Sequence, residues 1–153
     1  MSDLELIQRL CLSAALGAAL GFEREWRQKY AGLRTNILIA IGSTLFTVMS
    51  VDLSAAAGGD ATRIAAQIVT GIGFLGAGAI MRTGSGIRGL TTAAMIWVNA
   101  AIGVAVGGGE YHVAIIATGV TLLVLVALNP VEKWMDRQTP RRRKDASSKE
   151  DGA

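Results

Sequence analysis

The middle of the sequence contains no acidic residue, because no Asp or Glu occurs between Asp60 and Glu110. The centres of the apolar segments described below also lack carboxylates. Mg²⁺ in proteins is usually held by carboxylate or phosphate oxygens and retained waters. A carboxylate site for a divalent cation inside these segments is therefore not supported. Carbonyl oxygens near the glycines remain the alternative ligands, and any metal-binding residues stay unknown.

Cysteine, histidine and aromatic residues are also scarce. Cys11 is the single cysteine, which excludes an intrachain disulfide, and its apolar surroundings predict a buried, unreactive thiol. No catalytic arrangement surrounds the single histidine, His112, so we predict neither enzymatic activity nor a resident cofactor. Aromatic residues make up 5% of the chain, and the net charge of +3 collects at segment ends and in the tail, which argues against nucleic-acid binding.

Long apolar runs are abundant, and 51% of the residues are hydrophobic. At about 1.5 Å per residue each run approaches the roughly 30 Å hydrocarbon core of a bilayer. We predict an all-α fold: a polytopic membrane protein whose residues 1–130 form a bundle of five transmembrane helices, followed by a basic, partly disordered tail at 131–153. The predicted spans are about 6–22, 33–53, 64–81, 90–106 and 111–128.

The basic residues predict an orientation. Thirteen of the fifteen Lys and Arg residues fall in alternate loops and the tail, and only Arg9 and Arg63 fall on the other side. The positive-inside rule then places the N-terminus outside and the C-terminus in the cytoplasm. Asp3 and Glu5 occupy the place of the positive region of a signal peptide, so 6–22 is predicted to be a mature helix. Asn129–Pro130 is predicted to end the fifth helix.

Glycines in the third segment form a GxGxxG pattern through Gly71, Gly73 and Gly76. A dinucleotide-binding turn requires an acidic residue about 20 positions later, and positions 90–100 contain none. Helical periodicity instead places Gly71 and Gly78 on one face and Gly73 and Gly76 on nearly the opposite face. Since small residues allow helices to approach closely in lipid, we predict a central helix packed on both sides.

A second glycine pair, Gly17 and Gly21 of GAALG, predicts a close helix contact in the first segment. Homodimerisation through these glycine faces is a further hypothesis. GLRTNILIAIG at 32–42 is similar to GIRGLTTAAM at 86–95, which suggests a parallel repeat of the first two and the next two segments, as found in transporters.

Polar residues in the second and fourth segments share helix faces. Asn36, Ser43, Thr47 and Ser50 line one face of the second segment, and Thr92 lies on the same face as Asn99 in the fourth. A buried amide in lipid needs hydrogen-bond partners, so we expect Asn99 to face the polar residues of the second segment. Structural cohesion and a polar pathway are the two alternatives for this arrangement.

Charged residues near the predicted membrane edges extend this candidate set, since charges there are often functional. Glu23 and Arg27 have the i, i+4 spacing that permits an ion pair. The candidate polar network consists of Glu23, Arg24, Arg27, Arg34, Asn36, Arg63, Gln67, Arg82, Arg88, Thr92 and Asn99.

Three blocks resemble signature segments of the MgtC/SapB family: GAALGFEREWRQKYAGLRTNILIAIGS, DATRIAAQIVTGIGFLGAGAIMR and GIRGLTTAAMIWVNAAIG. Together they cover about residues 14 to 107. The resemblance implies a multi-pass protein of the bacterial cell inner membrane that is linked to growth under Mg²⁺ limitation and, in pathogens, to virulence. Many relatives continue into a soluble C-terminal domain, whereas this sequence ends in a short basic tail.

The resemblance also implies a regulator that acts through membrane partners such as the F-type ATP synthase. The alternative is a transporter or channel subunit for Mg²⁺ or another small solute, with the polar face and Asn99 as its pathway. In the regulator hypothesis Mg²⁺ is a physiological signal, whereas in the transporter hypothesis it is a ligand. The lipid bilayer is the one partner that both hypotheses share.

Overall fold

The computed structural model describes residues 1–60, 62–83 and 86–138. These residues form five helices and one short β-hairpin, which confirms the predicted helical fold. Four helices are long and apolar enough to cross a membrane, and the other, α3, contributes a shorter apolar helix. The elements are α1 (Asp3–Trp26), α2 (Leu33–Ala57), α3 (Thr62–Gly78), β1 (Met81–Thr83), β2 (Gly86–Arg88), α4 (Leu90–Gly107) and α5 (Tyr111–Gln138).

Helix α2 occupies the centre of the bundle, in contact with α1, α3 and α4. Small residues permit this position. A Cβ atom added to Gly17 of α1 would lie 2.8 Å from the carbonyl oxygen of Asn36, and one added to Gly103 of α4 would lie 2.6 Å from that of Ala40. Glycines on the two flanking helices therefore let both backbones rest directly on α2.

The apolar core lies where α2, α3 and α4 meet. Ile39, Ile72, Ile96 and Ala100 form its buried cluster. Helix α3 is less enclosed than predicted: no atom of the described chain comes within 4 Å of a Cβ built on Gly71, Gly73 or Gly78. The prediction of a central third helix was therefore wrong, because glycines on α1 and α4 make the close contacts and α3 packs at the side of the bundle.

The connection between α3 and α4 is a β-hairpin, which shortens the predicted third span from 64–81 to a helix that ends at Gly78. Gly89 closes this connection with φ +91°, and a Cβ there would lie 1.9 Å from the carbonyl oxygen of Ala79. Only glycine combines that backbone conformation with that approach. The hairpin is thereby held between the ends of the two helices.

Helix α5 contradicts the predicted end at Asn129–Pro130, because it continues to Gln138. Pro130 removes a single backbone donor, and membrane helices tolerate such losses. The chain divides into two units, Met1–Leu122 and Leu123–Ala153, and the boundary falls within α5. Residues 139–153, for which the tail prediction included disorder, lie outside the described residues.

The prediction of a buried Cys11 was also wrong, because this thiol is exposed. The buried residues of α1 lie on another face, which includes Ser13, Gly17 and Leu20. Cys11 is therefore on the side of α1 that α2 does not cover.

Candidate functional site

A buried pair of asparagines joins α2 to α4. Asn36 and Asn99 are both fully buried. The Asn99 side-chain nitrogen donates to the Asn36 backbone oxygen at 2.7 Å and to the Asn36 side-chain oxygen at 3.2 Å. The Asn36 nitrogen in turn donates to the carbonyl oxygens of Ala31 and Gly32, at 2.5 and 2.9 Å. Asn36 thus connects the start of α2 both to α4 and to the preceding loop.

A buried arginine joins α1 to the start of α4. Arg24 is 5% exposed, and its Nη2 donates to Thr92 Oγ1 at 3.0 Å. The neighbouring acid, Glu23, is paired with Arg27 at 2.5 Å. Among the described residues no carboxylate forms an ion pair with Arg24. The Thr92 hydroxyl is therefore the side-chain acceptor that receives a hydrogen bond from this buried guanidinium.

Hydroxyl groups cover the rest of the polar face of α2. Thr44 Oγ1 donates to the carbonyl oxygen of Gly103 at 2.9 Å and lies 2.8 Å from Ser13 Oγ on α1. Thr47 Oγ1 donates to the carbonyl oxygen of Ser43 at 2.8 Å. Because α1 and α4 both pack on this face, the hydroxyls of Thr44 and Thr47 bond to protein atoms.

Arg9 forms a further link at the opposite end of α1. Its guanidinium donates to the carbonyl oxygen of Gly107 at 2.5 Å and to Glu5 at 2.6 Å. It also lies 5.9 Å from the centre of the Tyr111 ring. Sequence reasoning left Arg9, Ser13 and Thr44 out of the network. The i, i+4 spacing of Glu5 and Arg9 was the available signal for the first of them.

The structure separates the residues of the predicted polar network into a paired or buried group and an exposed group. Glu23 and Arg27 form their expected ion pair, and Arg24, Asn36, Thr92 and Asn99 are buried hydrogen-bonding residues. The side chains of the remaining candidates are exposed and make no hydrogen bond or ion pair within the described parts of the chain: Arg34, Arg63, Gln67, Arg82 and Arg88. In those same parts, no group of three or more His, Cys, Asp or Glu residues has an arrangement that would hold a metal ion.

A cavity of about 990 Å³ lies between α2 and α3, with α4 as its floor, and we call it the α2–α3 groove. Most of its lining is apolar. Thr92 also lines it, so the Arg24–Thr92 hydrogen bond ends at the groove wall. The lining residues are Tyr30, Ala31, Thr35, Leu38, Ile39, Gly42, Ser43, Phe46, Gln67, Ile68, Gly71, Ile72, Phe74, Leu75, Gly78, Ala79, Met81, Thr92 and Ile96.

Residues 10–134, which include the asparagine pair, Arg24 and the groove, match the model of the MgtC family. The chain belongs to the MgtC family. Its apolar helices and this membership identify it as a membrane protein.

Several curated proteins are similar over most of this chain. The protein MgtC of Salmonella typhimurium is 50% identical over 122 residues, covering 80% of this chain and 52% of the relative. The protein MgtC of Brucella abortus is 47% identical over 136 residues, covering 86% and 56%. The uncharacterized protein slr0014 of Synechocystis is 43% identical over 134 residues, covering 88% and 56%. This MgtC-family chain spans about half the length of the curated relatives it matches. No solved structure matches it.

Replacing Thr92 with valine in this MgtC-family chain is expected to destabilise the bundle by about 1–3 kcal/mol, because the buried Arg24 guanidinium loses its acceptor. Replacing Arg24 with leucine in the Thr92→Val background should recover much of that loss, since the uncompensated charge is then absent. Reversible unfolding in mixed micelles measures both variants. Additive losses in the two single variants and the double variant would contradict this coupling.

Proposed function

We propose that this MgtC-family chain is a bacterial inner-membrane regulator, linked to growth or survival under Mg²⁺ limitation, that acts through helix contacts with a membrane partner. The observation that carries the proposal is an uncovered face of α3. Ala66, Thr70, Gly73 and Ala77 are all exposed, and no described atom lies within 4 Å of a Cβ built on Gly73. We call these four residues the small-residue face.

The small-residue face has the spacing of a helix-packing stripe. Its members follow at intervals of four, three and four residues, so they align along one side of α3. Helices in lipid associate through small residues because their backbones can then approach closely. Glycines of α1 and α4 already rest on α2, and Gly76 of α3 faces Ala93 of α4, whereas Gly73 has no described atom within 4 Å of an added Cβ. The family resemblance suggests the F-type ATP synthase as the partner.

The transport alternative has weaker support. A solute path along the polar face of α2 requires separation of α1 and α4 from that face, yet their glycines are in direct backbone contact with it. Asn36 and Asn99 bond to each other, and Thr44 bonds to Gly103. The buried polar residues are therefore better explained as cohesion between helices than as a pathway.

The inner-membrane orientation that we propose has the N-terminus outside and the C-terminus in the cytoplasm. Its support is the charge distribution, since thirteen of the fifteen Lys and Arg residues then belong to the cytoplasmic side. This arrangement places the β-hairpin and the loop between α1 and α2 at the cytoplasmic surface. Arg9 and Arg63 then lie at the opposite surface.

The proposal is tested with Gly73→Leu and its matched control, Gly119→Leu. Neither position has a described atom within 4 Å of the added Cβ, so neither change is expected to disturb the bundle. Leucine at Gly73 fills the space that a partner backbone would occupy. We expect recovery of the partner from native membranes in mild detergent to fall about tenfold for Gly73→Leu, which corresponds to about 1.4 kcal/mol and lies within the usual range for overpacking, and to stay unchanged for Gly119→Leu.

Three results would redirect this proposal. Equal partner recovery by both variants would remove the small-residue face from the interaction. Recovery of a second copy of the chain alone would establish the homodimer instead of a regulatory complex. Saturable Mg²⁺ entry into proteoliposomes, absent from empty liposomes and lost in Asn99→Leu, would replace the regulator with the transporter.

A further inference from the structure

The α2–α3 groove opens to the surface of the helices and has the depth of one membrane leaflet. On α2 it extends from Thr35 to Phe46, which is roughly 17 Å at about 1.5 Å per residue. This is about half of the roughly 30 Å hydrocarbon core. Leu38 and Phe74 at its rim are 68% and 80% exposed, so the groove faces the lipid in a membrane. A molecule that fills it reaches the middle of the bilayer and stops there.

The end of the groove beside the loop and the hairpin carries two arginines that form no ion pair among the described residues. Arg34 precedes Leu38 by four residues and Gly42 by eight, so it continues the groove-lining face of α2 by one turn. Arg88 pairs across the hairpin with Met81, which lines the groove. Residues directly opposite in an antiparallel pair project from the same face, so Arg88 lies on the groove side.

Arg82 lies on the same hairpin as Arg88 but on its opposite face. It pairs with Ile87, and adjacent residues of a strand project to opposite faces. Arg82 therefore faces away from the groove while it carries the same charge at nearly the same depth. Neither nearby acid forms an ion pair with Arg34 or Arg88 among the described residues: Glu23 is paired with Arg27, and the Glu25 carboxylate accepts from the backbone nitrogen of Leu33 at 3.1 Å.

We propose that the α2–α3 groove is a binding site for one anionic phospholipid of the cytoplasmic leaflet. An acyl chain occupies the groove, and the phosphate lies between Arg34 and Arg88. Basic pockets between transmembrane helices bind anionic headgroups. A transmembrane helix of a partner protein would need a surface across the whole bilayer, whereas this groove ends near the midplane. The leaflet depth and the position of the two cations thus favour a lipid.

The test compares the affinity of the full-length purified protein for acyl-labelled phosphatidylglycerol in detergent micelles, measured by fluorescence anisotropy. Arg34→Gln combined with Arg88→Gln should weaken binding about 30-fold, at about 1 kcal/mol for each basic side chain near the membrane surface. Arg82→Gln, the matched control, should leave the affinity unchanged. Acyl-labelled phosphatidylcholine should bind the wild type more weakly and respond little to either change.

A second pair of variants tests the chain-binding part of the groove. Gly42→Leu fills the groove at a position where the added Cβ meets no described atom within 4 Å, and it should abolish phosphatidylglycerol binding although both arginines remain. Gly73→Leu, on the small-residue face outside the groove, should preserve binding. Unchanged affinity in Gly42→Leu, or equal effects of the Arg34/Arg88 and Arg82 changes, would overturn the proposal.

This inference is independent of the partner proposal. Gly73→Leu separates the two, because it should remove the protein partner and keep the lipid. Gly42→Leu should remove the lipid, and recovery of the partner by this variant then shows whether the lipid is needed for the complex. Strong competition by inorganic phosphate would indicate a simple anion site and overturn the assignment to a lipid.

Discussion

Replacing Gly103 with alanine is expected to destabilise the bundle by about 3 kcal/mol, the upper part of the usual range for overpacking. The added Cβ would lie 2.6 Å from the carbonyl oxygen of Ala40 and 2.7 Å from the Cβ of Ser43. Neither atom is the end of a flexible side chain, so α4 must move away from α2. That movement also stretches the hydrogen bond from Thr44 to the carbonyl oxygen of Gly103.

Gly119→Ala is the matched control for this change. Gly119 also lies in an apolar helix, but no described atom lies within 4 Å of its added Cβ. Alanine is the better helix former by about 1 kcal/mol, so Gly119→Ala should be neutral or slightly stabilising. Thermal unfolding in detergent, followed by helix content, compares the two variants. Similar melting temperatures for Gly103→Ala and Gly119→Ala would show that α2 and α4 are not in backbone contact.

Replacing Asn36 with leucine is expected to have the second-largest effect, a loss of roughly 2–3 kcal/mol at about 1 kcal/mol for each hydrogen bond. The change removes the two hydrogen bonds that the Asn36 side chain donates to Ala31 and Gly32. It also removes the Asn36 side-chain oxygen, which accepts a hydrogen bond from Asn99. Asn99→Leu should have a smaller effect, because Asn36 then keeps its own bonds to the loop. Reversible unfolding in mixed micelles gives both values.

The double variant completes a cycle that isolates the interaction between the two asparagines. Interhelical hydrogen bonds in membranes average about 0.6 kcal/mol and reach about 1.7 kcal/mol in such cycles, so we expect a coupling within that range. A coupling near zero would show that the asparagines act separately. A larger loss for Asn99→Leu than for Asn36→Leu would contradict the role assigned to the loop bonds.

The helices were predictable because their signals are local. Apolar runs of sufficient length fixed their number, and the 3.6-residue period placed the polar residues of α2 on one face. The expectation that Asn99 would meet this face followed from the need of a buried amide for partners in lipid, and the structure brings Asn99 to Asn36. The missed elements were local exceptions. They are the hairpin, whose strands have three residues each, and the continuation of α5 through Pro130.

The glycines show why the remaining structure could not be predicted. Periodicity states which residues share a face, but it does not state which helix meets that face. Gly71 and Gly103 both lie in apolar helices, yet of these two only Gly103 meets a backbone, because α4 packs more closely on α2 than α3 does. The sequence alone therefore determined the helical segments, their polar faces and the family resemblance. Tertiary structure decided the central helix, the acceptor of Arg24 and the α2–α3 groove, since each depends on contacts between residues far apart in the chain.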